Sequence, residues 1–387
     1  MICFLKIYKT MQDRFSSQNK PQSIKFRSQQ LDIIKAAAIF FVVAFHYFPG
    51  ELNWHLQVMP AGWFQQYWND LSAFTPIHIL QFLVSYLYVG VNLFVIASGF
   101  GLYLSHLKSS KPFDWKEFFV KRIWRLMPAA IFSVIALFFV RGIFLGQWII
   151  SNFYVNFLPF LGGLNLFSND WFFPPINGVT WFFGLLIQLY LFFPLLIWLY
   201  EKIGEKKFLI LLLGISVLFR SLYYIFWKDA VSDLSYGLSI GRLFEFGFGM
   251  VLAKKFFEKK PLSPLWMLGI ICGLGYFWWW SFPFADSLFG VGIFTLVWFL
   301  AKKLPVWSGW GKIALQSYLI FLLHQPFIWI LQHWGFHQER SLLGFIVLVV
   351  FFGFSYWLAK ISQWILDWID QVCAKIFAAY RARKMTQ

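Results

Sequence analysis

Asp32, Lys35 and His46 fall in one apolar stretch, residues 31–48, that otherwise has the composition of a membrane-spanning helix. An ionisable group inside a bilayer costs roughly 2.5–3.5 kcal/mol on insertion scales, so a span that carries three of them usually has work for them. Eleven residues of α-helix turn through about 1100°, within about 20° of three revolutions, and rise about 16 Å. Lys35 and His46 therefore share a face, one near each side of the membrane. A histidine so placed can take or give a proton near neutral pH. The competing explanation is that Lys35 snorkels to the headgroups and His46 packs or caps at the interface.

Further polar residues sit where hydropathy does not ask for them. In a second apolar stretch, Gly90, Gly99 and Gly101 permit close approach of a backbone or a ligand, and Asn92 and Ser98 put hydrogen-bonding groups at membrane depth. Close helix packing explains these equally. Arg122 and Arg125 are three apart and share a helical face at the entrance of the third stretch. Two guanidinium groups so placed suit a phosphate, although basic residues also anchor membrane helices. Arg242 and Glu245, again three apart, can neutralise each other in lipid, and Arg141 and Arg220 are further candidates. Trp181, Gln188 and Tyr190 are polar handles on an aromatic helix interrupted by Pro194. Ser317 and His324 precede Pro326; His324 is a second titrating group or, more simply, a packed and hydrogen-bonded histidine.

These residues must be positioned by membrane helices. The 387-residue chain is 59% hydrophobic and 13% charged, a mix foreign to soluble domains. The expected fold is all-α, a polytopic bundle of about ten transmembrane helices. Apolar windows of the ~20 residues a bilayer needs occur near 32–49, 81–105, 126–146, 179–200, 207–227, 236–253, 263–281, 285–301, 312–332 and 341–366. Lysine and arginine cluster after every second window, at Lys108–Arg122, Lys202–Lys207, Lys254–Lys260 and Lys302–Lys303, and are absent from 50–76 and 147–178. By the positive-inside rule both termini are cytoplasmic. Residues 1–30 and 369–387 read as basic cytoplasmic tails flanking a membrane domain over 31–368. The apolar piece 148–164 reads as an interfacial or re-entrant segment of the outer 147–178 loop, because a crossing there would invert every later loop.

The net charge of +16 comes in short clusters between apolar runs, which argues against a nucleic-acid partner. Cys3, Cys272 and Cys373 are too scattered for a disulfide framework or a metal site, and no metal is expected. No Walker-type phosphate loop occurs, and no pair of short broken helices marks transporter repeats.

Taken in order, these motifs make the chain resemble acyltransferase family 3, the bacterial membrane O-acyltransferases that modify cell-surface polysaccharides. The resemblance runs from about Leu31 to about Leu366. It rests on Lys35 with His46 eleven residues on, Ser98-Gly99-Phe100, Arg122 with Arg125, the Trp181 helix ending at Pro194, the Arg242–Gly249 segment with Glu245, and Ser317-Tyr318 before His324 and Pro326. It implies transfer of an acyl group, commonly acetyl, from cytoplasmic acyl-coenzyme A to a sugar hydroxyl on or across the bacterial cytoplasmic membrane, with polysaccharide synthesis or export proteins as partners. His46 and Lys35 would be the family's essential pair, and Arg122 and Arg125 its paired arginines. The chain departs from the usual pattern in having Lys35 for arginine, which keeps the charge without the planar fork, and Asn92 where an acidic residue is common.

The chemistry expected is general-base catalysis by His46, with Lys35, Arg122, Arg125 and Ser98 at the donor and a channel lined by the first three spans. Asp32 lies about 21 Å from His46 along the helix and is a helix-start or supporting residue. An acyl-histidine intermediate is the alternative chemistry. Trp54, Trp63, Trp68 and Trp171 in the outer loops are candidates for stacking on sugar rings. The rival reading is a polysaccharide or lipid-linked sugar exporter without acyl transfer.

Overall fold

The computed structural model describes residues 29–47, 83–84, 86–110, 112–151, 153–164, 173–227, 237–277, 281–333 and 342–385. The outer-loop tryptophans named above lie outside these residues, as do Glu51, Asp70 and Asp170. The described chain is helical, with α1 Gln29–Tyr47, α2 Gly90–Leu107, α3 Trp115–Leu145, α4 Trp181–Trp227, α5 Leu243–Phe257, α6 Phe282–Ala301, α7 Ser308–His333 and α8 Leu342–Met385. Seven helices among the described residues are long and apolar enough to cross a membrane, and the protein is a multi-pass membrane bundle. The described residues of the ten apolar windows lie almost entirely on helical backbone, and α4 holds two of the windows. The stretch expected as a C-terminal tail continues α8 through Met385.

The two legs of α4 meet at Gly204, whose φ of 74° and ψ of 170° lie in a region open essentially to glycine. The reversal brings the Tyr200 and Phe208 rings to 5.0 Å, although eight residues of straight helix would rise about 12 Å. Glu205 accepts an ion pair from Lys255 at 2.9 Å, His106 approaches Glu201 at 4.0 Å, and Gln29 donates to the Pro305 carbonyl at 3.1 Å. These contacts gather the lysine-bearing loops at one end of the bundle, as the alternating charge pattern demands.

Two 3-10 segments depart from the α-helical expectation in a useful way. Pro264–Phe277 has 14 residues and, at about 2.0 Å per residue, reaches about 28 Å, near the thickness of a hydrocarbon core. Gly269 packs there against the Leu288 carbonyl and Gly292 of α6, where a Cβ would collide. Phe153–Leu161 reaches only about 18 Å and folds back, its Asn156 side chain accepting from the Ile176 amide at 2.8 Å. It is the non-crossing segment expected between 148 and 164.

The core is fixed by close backbone contacts and by buried charge. A Cβ on Gly99 would strike the Phe246 carbonyl of α5, and one on Gly249 the Ile96 carbonyl of α2, so these helices touch backbone to backbone. A Cβ on Gly90 would crowd the Ala38 carbonyl of α1, whereas Gly101 faces open space. Beside this seam Arg220, Arg242, Glu245 and Asp286 form a quartet, each at most 2% exposed. Arg220 meets Glu245 at 2.8 Å and Asp286 at 2.9 Å; Arg242 meets the same two carboxylates at 3.1 and 2.8 Å. Among the described residues, two cations here face two anions. Asn92 donates to the Asp286 side chain at 3.3 Å, and Ser287 accepts from Arg220 at 3.0 Å, which draws α2, α4, α5 and α6 into one network.

Asp286→Asn leaves two buried guanidinium groups facing one carboxylate. It should cost roughly 3–5 kcal/mol of stability in detergent-solubilised protein, followed by chemical unfolding. Adding Arg220→Met should restore part of the loss by rebalancing the charge.

Candidate active site

His46 and His324 meet although 278 residues separate them in sequence. His46 occupies the last turn of α1, and its Nδ1 lies 2.8 Å from the Val42 carbonyl. His324, fully buried on α7, holds Nδ1 2.7 Å from the Phe321 carbonyl and Nε2 3.2 Å from His46 Nδ1. A carbonyl only accepts, so both Nδ1 atoms carry their ring protons. His324 Nε2 then presents a lone pair to the Nδ1–H of His46, which it shares with Val42. The other His46 nitrogen, Nε2, is left with the lone pair of a base. Phe45 stands edge-on to His46 at 5.3 Å and Phe321 lies 5.8 Å from His324, so the pair sits in an aromatic wall of low polarity.

Proline chemistry prepares this end of the bundle. Pro326 has no N–H for the Leu322 carbonyl four residues earlier. Asn177 takes over that carbonyl at 2.9 Å and also donates to Ser133 of α3 at 3.1 Å. Arg141 of α3 donates to the Pro175 carbonyl at 2.6 Å and to Gln147 at 2.7 Å, and lies 4.6 Å over the Trp329 ring. The 175–180 connection is thus tied to both α3 and α7.

The arginine pair belongs to a second polar cluster. Asp114 caps α3 by accepting from the Lys116 and Glu117 amides at 2.9 and 3.1 Å, which sets where the helix starts and which face Arg122 and Arg125 occupy. Arg122 is half-buried over the Phe118 ring at 5.6 Å, and Arg125 is exposed. Both act on the Tyr190 phenol of α4, which also faces the Ser98 hydroxyl of α2. Tyr318 of α7 interacts electrostatically with Tyr190 and donates to the Leu126 carbonyl of α3 at 3.3 Å.

The two clusters lie at different depths. α1 and α7 run side by side, with Asp32 3.4 Å from a Cβ built on Gly311 near one end and His46 against His324 at the other. Fourteen residues of α1 and thirteen of α7 separate these contacts, about 21 and 20 Å. Tyr318 precedes His324 by about 9 Å of helix, and Arg122 precedes Leu126 by about 6 Å more. Arg122 therefore sits about 15 Å, and Arg125 about 10 Å, from the histidine pair toward the lysine-bearing end. Lys35, half-buried and eleven residues before His46 on an unbroken helix, lies at similar depth.

Several other expected residues lie outside these two clusters. Arg242 and Glu245 belong to the buried quartet and Asn92 bonds to it, Gly99 lies in the helix seam, and Phe100 packs on Trp298 at 5.8 Å. Ser317 donates to its own helix at Ala314, 2.9 Å, and Trp181 packs beside Phe182 at 5.9 Å. Gln188 accepts from the Ser239 amide at 3.2 Å. Beside the first three spans, α7 packs against both α1 and α3 and brings His324 and Tyr318 to these clusters, and α4 brings Tyr190. Asp286 and Asn177 were missed. The signal for Asp286 was available, an acidic residue inside an apolar window; for Asn177, in a loop, none was. Among the described residues no three His, Cys, Asp or Glu side chains converge as a metal site would require.

No curated protein and no solved structure matches the chain. A family model does: the acyltransferase domain of acyltransferase family 3 aligns with residues 28–360. That span includes both polar clusters and the helices that carry them, and the chain belongs to this family of membrane acyltransferases.

Proposed function

We propose that the protein moves an acetyl group from cytoplasmic acetyl-coenzyme A to a hydroxyl of a cell-surface or lipid-linked saccharide at the bacterial cytoplasmic membrane. The observation that carries this reading is the two-level arrangement, a histidine pair about 10–15 Å from a pair of arginines along the helices. Arg122 and Arg125 suit the donor's phosphates, with Lys35 as a third cation at that depth and Ser98 and Tyr190 as hydroxyl partners. An extended pantetheine arm can cover the distance to His46.

At the acceptor end His46 Nε2 takes the proton of the sugar hydroxyl as its oxygen attacks the thioester carbonyl. The carbon–sulfur bond then breaks, the thiolate leaves, and the proton returns from the imidazolium to sulfur. His324 acts through His46 as a positioning residue: its lone pair supports the imidazolium that forms, the part a carboxylate plays in many triads. A neutral acceptor suits this site because a carboxylate in the same aromatic wall would need a counter-charge of its own.

Three outcomes test the reading with labelled acetyl-coenzyme A and surface glycan as acceptor. His46→Ala, inserted normally, should lose transfer by about 100-fold or more; transfer within threefold of the parent would refute the role. His324→Ala should lower kcat by roughly tenfold at unchanged donor KM, with partial recovery in His324→Gln, which can still offer an acceptor oxygen. Arg122→Ala should raise donor KM by about 10- to 100-fold, the worth of charged hydrogen bonds of ~1.5–3 kcal/mol, and leave kcat less affected.

A further inference from the structure

The face of α1 turned away from Lys35 and His46 lines a separate cavity. Ala37 and Phe40 lie about 200° and 140° around the helix from Lys35. With Ala36, and with Leu300, Leu304 and Trp310 from the far side, they bound a space of about 340 Å³, within the range of small-molecule pockets. Its lining is almost wholly apolar. Phe40 meets Phe352 of α8 edge-on at 5.5 Å and closes one side. Leu300 and Leu304 are 49% and 40% exposed, so the opposite side opens laterally, toward the bilayer.

Two observations give this groove a polar end. The Trp310 indole N–H is buried with no acceptor among the described residues, an arrangement that buried donors rarely tolerate. Lys302 and Lys303 follow directly on the α6 turn that supplies Leu300 and Ala301, and both are exposed at the lysine-bearing end of the bundle. An apolar slot, an orphaned donor and two cations at its mouth match, in order, an acyl chain, an ester oxygen and a phosphate.

We infer that this groove holds one acyl chain of an anionic glycerophospholipid, whose phosphate pairs with Lys302 and Lys303 and whose ester oxygen accepts from Trp310. A lipid tail gains little from leaving other lipid tails, so occupancy depends on fit and on the headgroup contacts. The inference does not rest on the acyl-transfer chemistry, because α1 stands between the groove and His46.

The test uses the full-length protein in nanodiscs containing phosphatidylglycerol with a photoactivatable diazirine near the chain end, and maps the labelled peptides by mass spectrometry. Labelling should concentrate on 36–41 and 297–313, and should fall at least fivefold in Ala37→Trp, which fills the groove. Leu304→Trp, at the exposed mouth, serves as a second filling variant should the first fail to insert. Lys302→Glu with Lys303→Glu should lower the preference for phosphatidylglycerol over phosphatidylcholine by about fivefold or more. Labelling that ignores both filling variants overturns the proposal, as does equal labelling by the two lipids. Labelling that appears only after residues 1–27 are removed also overturns it, since the chain's own N-terminal segment would then be the occupant.

Discussion

A charge inside a bilayer must find its opposite within the protein, and the quartet of Arg220, Arg242, Glu245 and Asp286 meets that demand with two of each sign. The rest of the architecture follows from it. Asn92 joins the quartet through Asp286, which fixes the depth of α2 against α6. Gly290 must lack a side chain there, because a Cβ would press into Asn92. With α2 placed, Gly99 and Gly249 let it lie directly on α5, and Gly90 lets α1 approach it at Ala38. The position of His46 is thus set by a chain of contacts that begins at the buried charges.

The paired histidines His46 and His324 are oriented by backbone rather than by acids. In water-facing enzymes a carboxylate commonly fixes the imidazole tautomer. Here the carbonyls of Val42 and Phe321 do so, and they bring no net charge into an aromatic environment. Pro326 extends the same economy. By withholding one N–H it exposes the Leu322 carbonyl, and Asn177 uses that carbonyl to hold the loop before α4 beside His324. Functional geometry at this end therefore comes from interrupted helix hydrogen bonding.

Much of this was legible in the sequence. Hydropathy and lysine spacing located the ten windows, the non-crossing 148–164 piece and the shared face of Lys35 and His46, because these follow from helix period and bilayer thickness alone. The Arg242–Glu245 pair was legible as an i, i+3 spacing. Arg220 and Asp286 were not legible as its partners, since nothing local relates residues 25 and 44 positions apart. His324 illustrates the same limit: a buried histidine bonded to its own helix is an ordinary packing residue until the fold sets it against His46. The 3-10 form of Pro264–Phe277 was hidden for another reason. Its Gly269, Gly273 and Gly275 weaken any helix preference, and contact with α6 decides the geometry.

α1 emerges as a partition with different chemistry on its two faces. The Lys35–His46 face is lined by polar groups at two depths, and the Ala37–Phe40 face by hydrocarbon. Small residues explain how one helix can do both. Ala36, Ala37 and Ala38 keep its lysine-side half thin, so that α2 packs at Ala38 while the groove opens beside Ala36 and Ala37. A bulky residue at any of the three would fill the groove or push α2 away from the seam, and a shift of α2 would carry Ser98 away from Tyr190 and the arginines. The alanine run that looks like mere hydropathy in the sequence is where helix packing, the apolar groove and the Tyr190 cluster constrain one another.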